Sequence, residues 1–447
     1  MTCILDKMAT RWYNGSSKEQ GGSAVNHELL KTVIYDQHQI IRDAVIVPRH
    51  YTLEPNGNYV LVGLRRAGKS TMLYQQVRKL VDSGVAWEQI IYINFEDERL
   101  SEFKVTDFND IISVQAEMSN QKGYFFLDEI QNIDGWEKFA RRLADSKERV
   151  YITGSNAKML SKDIETTLGA RYLTLYVSPY SFTEYLSAHN KKYGDAELAA
   201  TKTAGEICGY SKTYMHEGGF PESLLYTSKR EYLNSLYRKI LLGDIITRNS
   251  IRNDFAIRIL MKKIAESIRS EVSFSKLHGI LKSIGLSVGK DTIIDYISYA
   301  EDAYLLFHIQ NLYAKFAEKE GNPKYYFNDN GLLNLFLTDK DSALLENIVA
   351  VQLCRMYTEN VYYLKSAKTG IDIDFYMPEE KLAVQATFSL NDDSFEREVE
   401  SLVKLSAGES EELRCVIVTY DEKKELEYKG THIKVIPLYL FLLGKYD

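Results

Sequence analysis

The chain has 447 residues, enough for two to four domains at roughly 150 residues each. Charged residues make up 26% and apolar residues 45%, a balance typical of a globular protein. With 55 Lys and Arg against 62 Asp and Glu, the formal charge is −7, which excludes a protein that coats nucleic acid through bulk charge alone. A local basic face is compatible with this composition.

The distribution of apolar residues and cysteines excludes further classes. The sequence contains no stretch of about 18 apolar residues, so we expect no membrane-spanning helix, and its first residues do not resemble a secretory signal. Cys3, Cys208, Cys354 and Cys415 are scattered without a C-x-x-C pair, which argues against a zinc site or a disulfide framework. Reduced thiols of this kind indicate a cytoplasmic protein.

Strands and helices alternate after an N-terminal arm that we place at residues 1–25 and expect to be flexible. Apolar spacing predicts a first helix over 27–43. The predicted strands then span 59–62, 90–95, 124–127, 150–153 and 172–177, and the predicted helices span 70–81, 108–118 and 136–144. Such alternation is typical of a parallel sheet covered by helices.

The second half of the chain has a different order of elements. Mostly helical patterning continues to about residue 248, and three short helical stretches then precede β-type runs at 304–309 and 324–327. After a helix that opens at residue 344, the predicted pieces span 371–376, 382–387, 395–405, 414–419 and 433–436. This order predicts a second α/β unit.

The segment 63–70, Gly-Leu-Arg-Arg-Ala-Gly-Lys-Ser, fits the pattern G-x-x-x-x-G-K-[ST] between a predicted strand and a predicted helix. Glycines let backbone N–H groups wrap a phosphate, and the helix N-terminus adds a favourable dipole. Lys69 would carry charge to the β- and γ-phosphates, and Ser70 would offer its hydroxyl to Mg²⁺. A glycine-rich turn without a ligand is the alternative. The predicted ATP-binding residues are Gly63, Arg65, Arg66, Ala67, Gly68, Lys69, Ser70 and Thr71.

A second motif, Tyr-Phe-Phe-Leu-Asp-Glu over 124–129, is an apolar strand that ends in two carboxylates. Asp128 is expected to hold Mg²⁺ through water, and Glu129 to polarise the attacking water as a general base. A solvated turn is the alternative for this pair taken alone. A carboxylate at Glu129 favours hydrolysis over nucleotide binding without turnover.

Four further polar residues are candidates for contacts with the nucleotide. Asn156 follows a strand end, where it would contact the γ-phosphate or the attacking water, or else be an ordinary turn residue. Arg171 would reach a γ-phosphate in its own or a neighbouring subunit, or else be a surface residue. Arg65 and Arg66 either touch phosphate or pack against acidic neighbours.

These residues resemble the AAA-type ATPases of a bacterial and archaeal group that carries a C-terminal domain of unknown function. The matching segments are 63–71, 93–99, 127–131, 153–156, 179–184, 218–221 and 326–331. The resemblance implies an α/β P-loop NTPase core at 26–180, a helical lid at 181–248, a winged-helix-like segment at 249–328 and a PD-(D/E)xK nuclease-like domain at 329–447.

Within the winged-helix-like segment, the pattern reads helix, turn, helix, and the second helix of such a unit often enters the DNA major groove. Here that helix carries Asp291, Asp295, Glu301 and Asp302 against one basic residue, Lys290. Because acidic side chains repel phosphate, DNA binding is weakly supported, and a packing or oligomerisation module is the alternative.

The nuclease-like domain has only part of the expected catalytic set. Glu346 lies on its first helix, and Asp374 takes the place of a metal-binding aspartate. The next strand has Gln385 and Thr387 where an acidic residue and a lysine are required. Asp372 shares a strand face with Asp374, so the two could crowd one weak cation site, but no lysine completes it. We therefore predict a nuclease-like scaffold without cleavage activity.

The sequence thus predicts a cytoplasmic, Mg²⁺-dependent ATPase whose hydrolysis drives its appended modules. A nucleotide-gated switch that binds DNA or a protein and hydrolyses slowly is one alternative. An ATP-coupled nuclease is another, and residues 385–387 argue against it. A protein partner and a homo-oligomer are compatible with the sequence, and no membrane association is expected. An Arg171 that acts on a neighbouring subunit would require a dimer or a ring.

Overall fold

The structure is a computed structural model that describes residues 27–155, 162–315, 319, 321–338, 340–409 and 412–446. The predicted arm at 1–25 and Asn156 lie outside these residues. Across the described ranges, none of the helices combines the length and apolar character needed to cross a membrane.

A five-stranded, all-parallel sheet forms the centre of the N-terminal half. Its spatial order is β2-β3-β4-β1-β5. The strands are β1 (Tyr59–Val62), β2 (Ile90–Asn94), β3 (Tyr124–Asp128), β4 (Arg149–Thr153) and β5 (Leu173–Tyr176). In β1 to β4 nearly every side chain is buried, as expected of a sheet covered on both faces. The predicted strands are confirmed, with bounds shifted by at most one residue.

Helices on both faces of this sheet complete two apolar layers. The helices are α1 (His27–Asp43), α2 (Lys69–Asp82), α3 (Phe108–Met118), α4 (Trp136–Asp145) and α5 (Lys162–Leu168). On one face α2 packs Met72 and Val77 against the sheet. On the other, α1, α3 and α4 contribute Val33, Ile111 and Phe139. The loop from β1 to α2 therefore emerges at the carboxyl edge of a rigid layer.

A helical region and a short strand pair follow. The helices are α6 (Phe182–Ala188), α7 (Asp195–Leu198), α8 (Thr201–Glu217) and α9 (Lys229–Lys239), and α9 continues as a π-helix over Ile240–Thr247. Next come α10 (Asp254–Glu266), α11 (Phe274–Ser283), α12 (Lys290–Asp302) and the antiparallel strands β6 (Leu306–Ile309) and β7 (Lys324–Phe327). The predicted order of three helical stretches and two β runs is confirmed.

The C-terminal part is a six-stranded mixed sheet of order β12-β13-β11-β10-β9-β8. Its strands are β8 (Tyr362–Ser366), β9 (Ile371–Met377), β10 (Leu382–Ala386), β11 (Arg414–Thr419), β12 (Lys424–Tyr428) and β13 (Thr431–Pro437). Helices at Asn330–Leu333, Asp341–Tyr357, Asp392–Ser406 and Leu438–Leu442 accompany it. One apolar core joins this sheet to β6–β7 and to the helical region, so the appended parts are packed together.

Candidate nucleotide site

The loop between β1 and α2 has a backbone that requires glycine. Gly63 has φ +138°, and a Cβ there would lie 2.2 Å from the carbonyl oxygen of Val177. Gly68 has φ +99° and precedes α2, whose N-terminus receives no hydrogen bond from a capping side chain. The N–H groups of the first helical turn therefore remain available to an anion.

Lys69 is buried in this loop, at 4% exposure. Its Nζ donates to the carbonyl oxygens of Gly63 at 3.0 Å and Leu64 at 3.2 Å. Burial lowers the pKa of Lys69, although the charges of Glu129 and Asp128 oppose this change. Among the described residues, the Lys69 ammonium thus donates its hydrogen bonds to backbone carbonyl oxygens. A buried cation held in this way favours an anionic ligand.

Asp128, at the end of β3, is held by three hydroxyl groups. Its Oδ1 accepts a hydrogen bond from Thr153, and its Oδ2 accepts one from Tyr92 at 2.7 Å. Ser70 also bonds to this carboxylate. Burial, with Glu129 beside it, raises the pKa of Asp128, while the three hydrogen bonds act in the opposite direction. The Ser70 hydroxyl and the Asp128 carboxylate are hard oxygen donors at one point, so the pair fits Mg²⁺.

Glu129 lies in a left-handed backbone conformation with φ +52°. Its N–H donates to Thr153 Oγ1 at 2.9 Å, and its carboxylate accepts from the Gln131 amide at 2.5 Å. Thr153 therefore fixes both members of the acidic pair. The sequence motifs assign no role to Thr153, although it ends the strand next to β3, where side chains meet at one sheet edge.

Arg65 and Arg66 contact acidic side chains in this structure. Arg65 Nη2 donates to Glu96 at 3.0 Å, and Arg66 Nη1 donates to Glu222 at 2.7 Å. These contacts agree with the alternative that Arg65 and Arg66 pack against acidic neighbours. A contact of either arginine with phosphate stays a prediction.

Arg171 lies at the edge of the sheet opposite the loop. β1 and β5 are parallel, with Tyr59 beside Leu173, so the residue that precedes β5 is at the amino ends of the strands. Arg171 Nε donates to Asp145 at 2.5 Å. This position does not bring the guanidinium to the phosphate loop of its own chain. Only its contact with a neighbouring subunit stays a prediction.

Arg49 is a buried residue that no motif indicated. Its Nη1 donates to the carbonyl oxygen of Ala67 at 3.0 Å, inside the loop, and its Nη2 donates to that of Ser178 at 2.6 Å. Nε forms an ion pair with Glu184 at 2.8 Å. Arg49 thus ties the back of the loop to the segment that follows β5, and it satisfies carbonyl groups which would otherwise be buried without a partner.

A second polar pocket, of about 360 Å³, lies in the C-terminal half. Asp372 and Asp374 both line it, as the strand alternation predicts, together with Glu346 and Glu398. Lys324 Nζ lies 3.2 Å from Asp374 Oδ1 and 3.6 Å from Glu346 Oε1. The expectation that no lysine joins these carboxylates is therefore wrong. The lysine comes from β7, which packs against the helix that carries Glu346, and not from β10.

Gln385, on β10, has a structural role in this pocket. Its Oε1 accepts from the N–H of Asp374 at 2.8 Å, and its Nε2 donates to the carbonyl oxygen of Asp372 at 2.8 Å. Both ends of the amide therefore pin β10 to β9. In the described ranges, no group of three or more His, Cys, Asp or Glu side chains is arranged to hold a metal ion. The absence of cleavage activity stays a prediction.

Comparisons with known proteins agree with this architecture. The model of the AAA domain family matches residues 56–186, and that of a domain of unknown function (DUF8612) matches residues 210–343. An uncharacterized protein of Methanocaldococcus jannaschii is 31% identical over 433 residues, which cover 93% of this chain and 95% of that protein. An uncharacterized protein of Haemophilus influenzae is 31% identical over 347 residues, which cover 75% of this chain and 84% of that protein.

Among solved structures, the Walker-type ATPase of Pyrococcus abyssi is similar over 70% of this chain and 97% of its own, at 12% identity and a TM-score of 0.34. The match to the Methanocaldococcus protein extends over nearly the whole of both chains, and the AAA model covers the sheet that carries the loop, the buried lysine and the acidic pair. The chain therefore belongs to a family of AAA-type P-loop ATPases that carry a C-terminal domain of unknown function.

Proposed function

We propose that this chain binds ATP with Mg²⁺ at the 63–71 loop, hydrolyses it, and uses the nucleotide state to move its appended modules. The observation that carries the proposal is the buried ammonium of Lys69 on carbonyl oxygens, beside an uncapped helix N-terminus and the Asp128–Glu129 pair. Each of these features favours a polyphosphate over a neutral ligand.

The residues of the loop and of β3 then have separate roles. Lys69 would leave the carbonyl oxygens for the phosphate oxygens, and the N–H groups of α2 would bind the same anion. Ser70 and Asp128 would hold Mg²⁺, which neutralises charge that develops on the phosphates. Glu129 would orient a water and accept its proton, in a position that the Thr153 hydroxyl fixes.

The test of this mechanism separates binding from turnover. Purified protein with Mg²⁺ and ATP is expected to release phosphate, and Glu129→Gln is expected to lower release by about 10²-fold or more while it keeps nucleotide affinity. Glu148→Gln is a matched control, because Glu148 accepts a hydrogen bond from Gly123 at the opposite edge of the sheet. Loss of nucleotide binding in Glu129→Gln would contradict the role of a base.

Contacts between the core and the appended parts support transmission of the nucleotide state. Arg66 of the loop pairs with Glu222, which lies between α8 and α9 of the helical region. Just before Glu222, the Gly219 carbonyl accepts a hydrogen bond from Tyr180 at 2.7 Å, and the Gly219 N–H donates to Asp329 at 2.7 Å. A change at the loop can therefore reach the C-terminal half through few bonds.

A nucleotide-gated switch with slow hydrolysis is the second candidate, because the same contacts would serve it. The effect of an added partner on the rate of ATP hydrolysis identifies the ligand of such a switch. On α12 Asp291 and Asp295 are exposed, so duplex DNA is not the expected partner of this helix. Turnover that rises with duplex DNA and falls steeply with salt would support a DNA ligand. No response at low salt would support a protein partner.

A further inference from the structure

An ion cluster joins the phosphate loop to the π-helix. Arg65 Nη1 of the loop lies 3.6 Å from Asp244 Oδ1, and Arg248 Nη2 lies 3.8 Å from the same oxygen. Asp244 is on the π-helix Ile240–Thr247, and Arg248 follows that helix directly. The side chain of Asp244 is 7% exposed, so little water screens the cluster. One carboxylate therefore holds two arginines from different elements.

The cluster also lies within electrostatic range of the reacting groups. Burial raises the pKa of Asp244, Arg65 and Arg248 oppose this change, and the charge of Glu129 adds to it. Asp244 in turn acts to raise the pKa of Lys69. Asp244 is therefore within range of the charges of Lys69 and Glu129, and its contact with Arg65 ties it to the phosphate loop itself.

Both arginines have unused donors. Arg65 Nε and Arg248 Nη1 are buried, and neither has a hydrogen-bond acceptor among the described residues. Buried guanidinium donors without an acceptor are unfavourable and uncommon in folded proteins. Phosphate oxygens match the planar donor set of a guanidinium, and two such groups beside a phosphate loop point to a phosphate ligand.

We propose that Asp244 is the counter-ion that the γ-phosphate of ATP displaces, so that Arg65 and Arg248 exchange a carboxylate for phosphate oxygens. The inference rests on the proposed function and specifies how the site distinguishes ATP from ADP. The γ-phosphate is the one nearest to the base Glu129, and ADP lacks it. Its negative charge repels Asp244 and attracts both arginines.

The displacement would act on the element that carries Asp244. The π-helix continues α9 and leads toward α10, and π-helical turns often occur at functional sites. A Cβ at Gly243, next to Asp244, would meet no atom within 4 Å, so this face of the segment is open. Release of Asp244 would therefore free this segment to shift when ATP binds and to return after hydrolysis.

The test compares the affinities for ADP and for a non-hydrolysable ATP analogue, both with Mg²⁺, by calorimetric titration of the full chain. Asp244→Asn is expected to bind the analogue about tenfold more tightly while ADP affinity changes much less, because the removed charge faces the γ-phosphate. Asp244→Glu keeps the charge and is expected to bind both nucleotides as the wild type does. Asp254→Asn, in an exposed pair with Arg258, is a control with the same charge change.

A second variant tests the inference if Asp244→Asn does not fold. Arg248→Ala is expected to lose most of the preference for the analogue over ADP. An unchanged preference in Asp244→Asn or in Arg248→Ala, in a protein that binds ATP, would overturn the role of the cluster. A wild-type chain that binds neither nucleotide would instead overturn the proposed function, so the two failures are distinguishable.

Discussion

Two buried lysines, in two regions of the chain, have opposite surroundings. Lys69 in the ATPase core donates to backbone carbonyl oxygens, and burial lowers its pKa. Lys324 in the C-terminal pocket lies against Asp374 and Glu346. There burial also acts to lower the pKa of Lys324, but the two carboxylates outweigh it and raise the pKa above its usual range.

The difference distinguishes a site built for a ligand from a cluster that is balanced internally. Carbonyl dipoles compensate the charge of Lys69 only in part, so a polyphosphate improves its environment. The carboxylates around Lys324 already supply its counter-charge, and that ammonium occupies the space between them. A buried lysine is therefore not by itself evidence of an active site. The chemical identity of its hydrogen-bond partners shows whether the lysine is available to a ligand.

The largest expected effect is on stability, and it should differ between substitutions of Lys324 and of Lys69. Lys324→Met leaves the buried Glu346 and the half-buried Asp374 without their shared cation, although Arg269 still pairs with Glu346 at 3.3 Å, so the free energy of unfolding is expected to fall by about 3–5 kcal/mol. Lys69→Met removes a desolvated charge that is bonded to carbonyl groups, and we expect a change within about 1 kcal/mol without nucleotide. Urea denaturation of both variants measures the difference. An equal loss of unfolding free energy in the two variants would show that the surroundings of the two lysines do not differ in this way.

The carboxylates of the pocket should give stability a measurable dependence on pH. Burial, with Asp374 nearby, raises the pKa of Glu346 to about 7, from 4.5 as its ordinary value. Between these two values the folded state binds more protons than the unfolded state. The stability that this group contributes is thus complete below about pH 4.5 and is lost as pH rises through 7.

Glu346→Gln is expected to remove this dependence. The difference in unfolding free energy between the wild type and the variant should change by up to about 3 kcal/mol from pH 4.5 to 7, with the wild type losing stability. Denaturant titrations at a series of pH values measure it. Parallel stability curves for the two proteins would show that Glu346 does not titrate in this range.

The same contrast shows what the sequence could and could not predict. The loop, the acidic pair and the elements around them follow from local patterns, because phosphate chemistry needs contiguous residues between a strand and a helix. Lys324 could not be found in this way. It lies 50 residues before Asp374 along the chain, and the two meet through tertiary packing, in which β7 also lies against the helix Asp341–Tyr357 that carries Glu346.

Two strands of the C-terminal sheet, β8 and β12, have no clear signal in the sequence. β12 (Lys424–Tyr428) has the sequence Lys-Glu-Leu-Glu-Tyr and lies at one edge of the sheet, where charged side chains can face solvent. β8 (Tyr362–Ser366) forms the other edge, where Lys365 is exposed. Edge strands have weak apolar periodicity, whereas continuous apolar runs predict the buried strands of the core.

The smallest expected effect concerns ligand stabilisation, and it sharpens the difference between the two lysines most directly. A non-hydrolysable ATP analogue with Mg²⁺ at 100 times its dissociation constant should stabilise the wild type by about 2.7 kcal/mol. Lys69→Met is expected to show no stabilisation at the same concentration, because the loop then lacks the cation that binds the phosphates. Lys324→Met, although less stable at the start, should gain the same increment as the wild type. Thermal unfolding with and without the analogue measures all three, and an increment lost in Lys324→Met would mean that its pocket takes part in nucleotide binding.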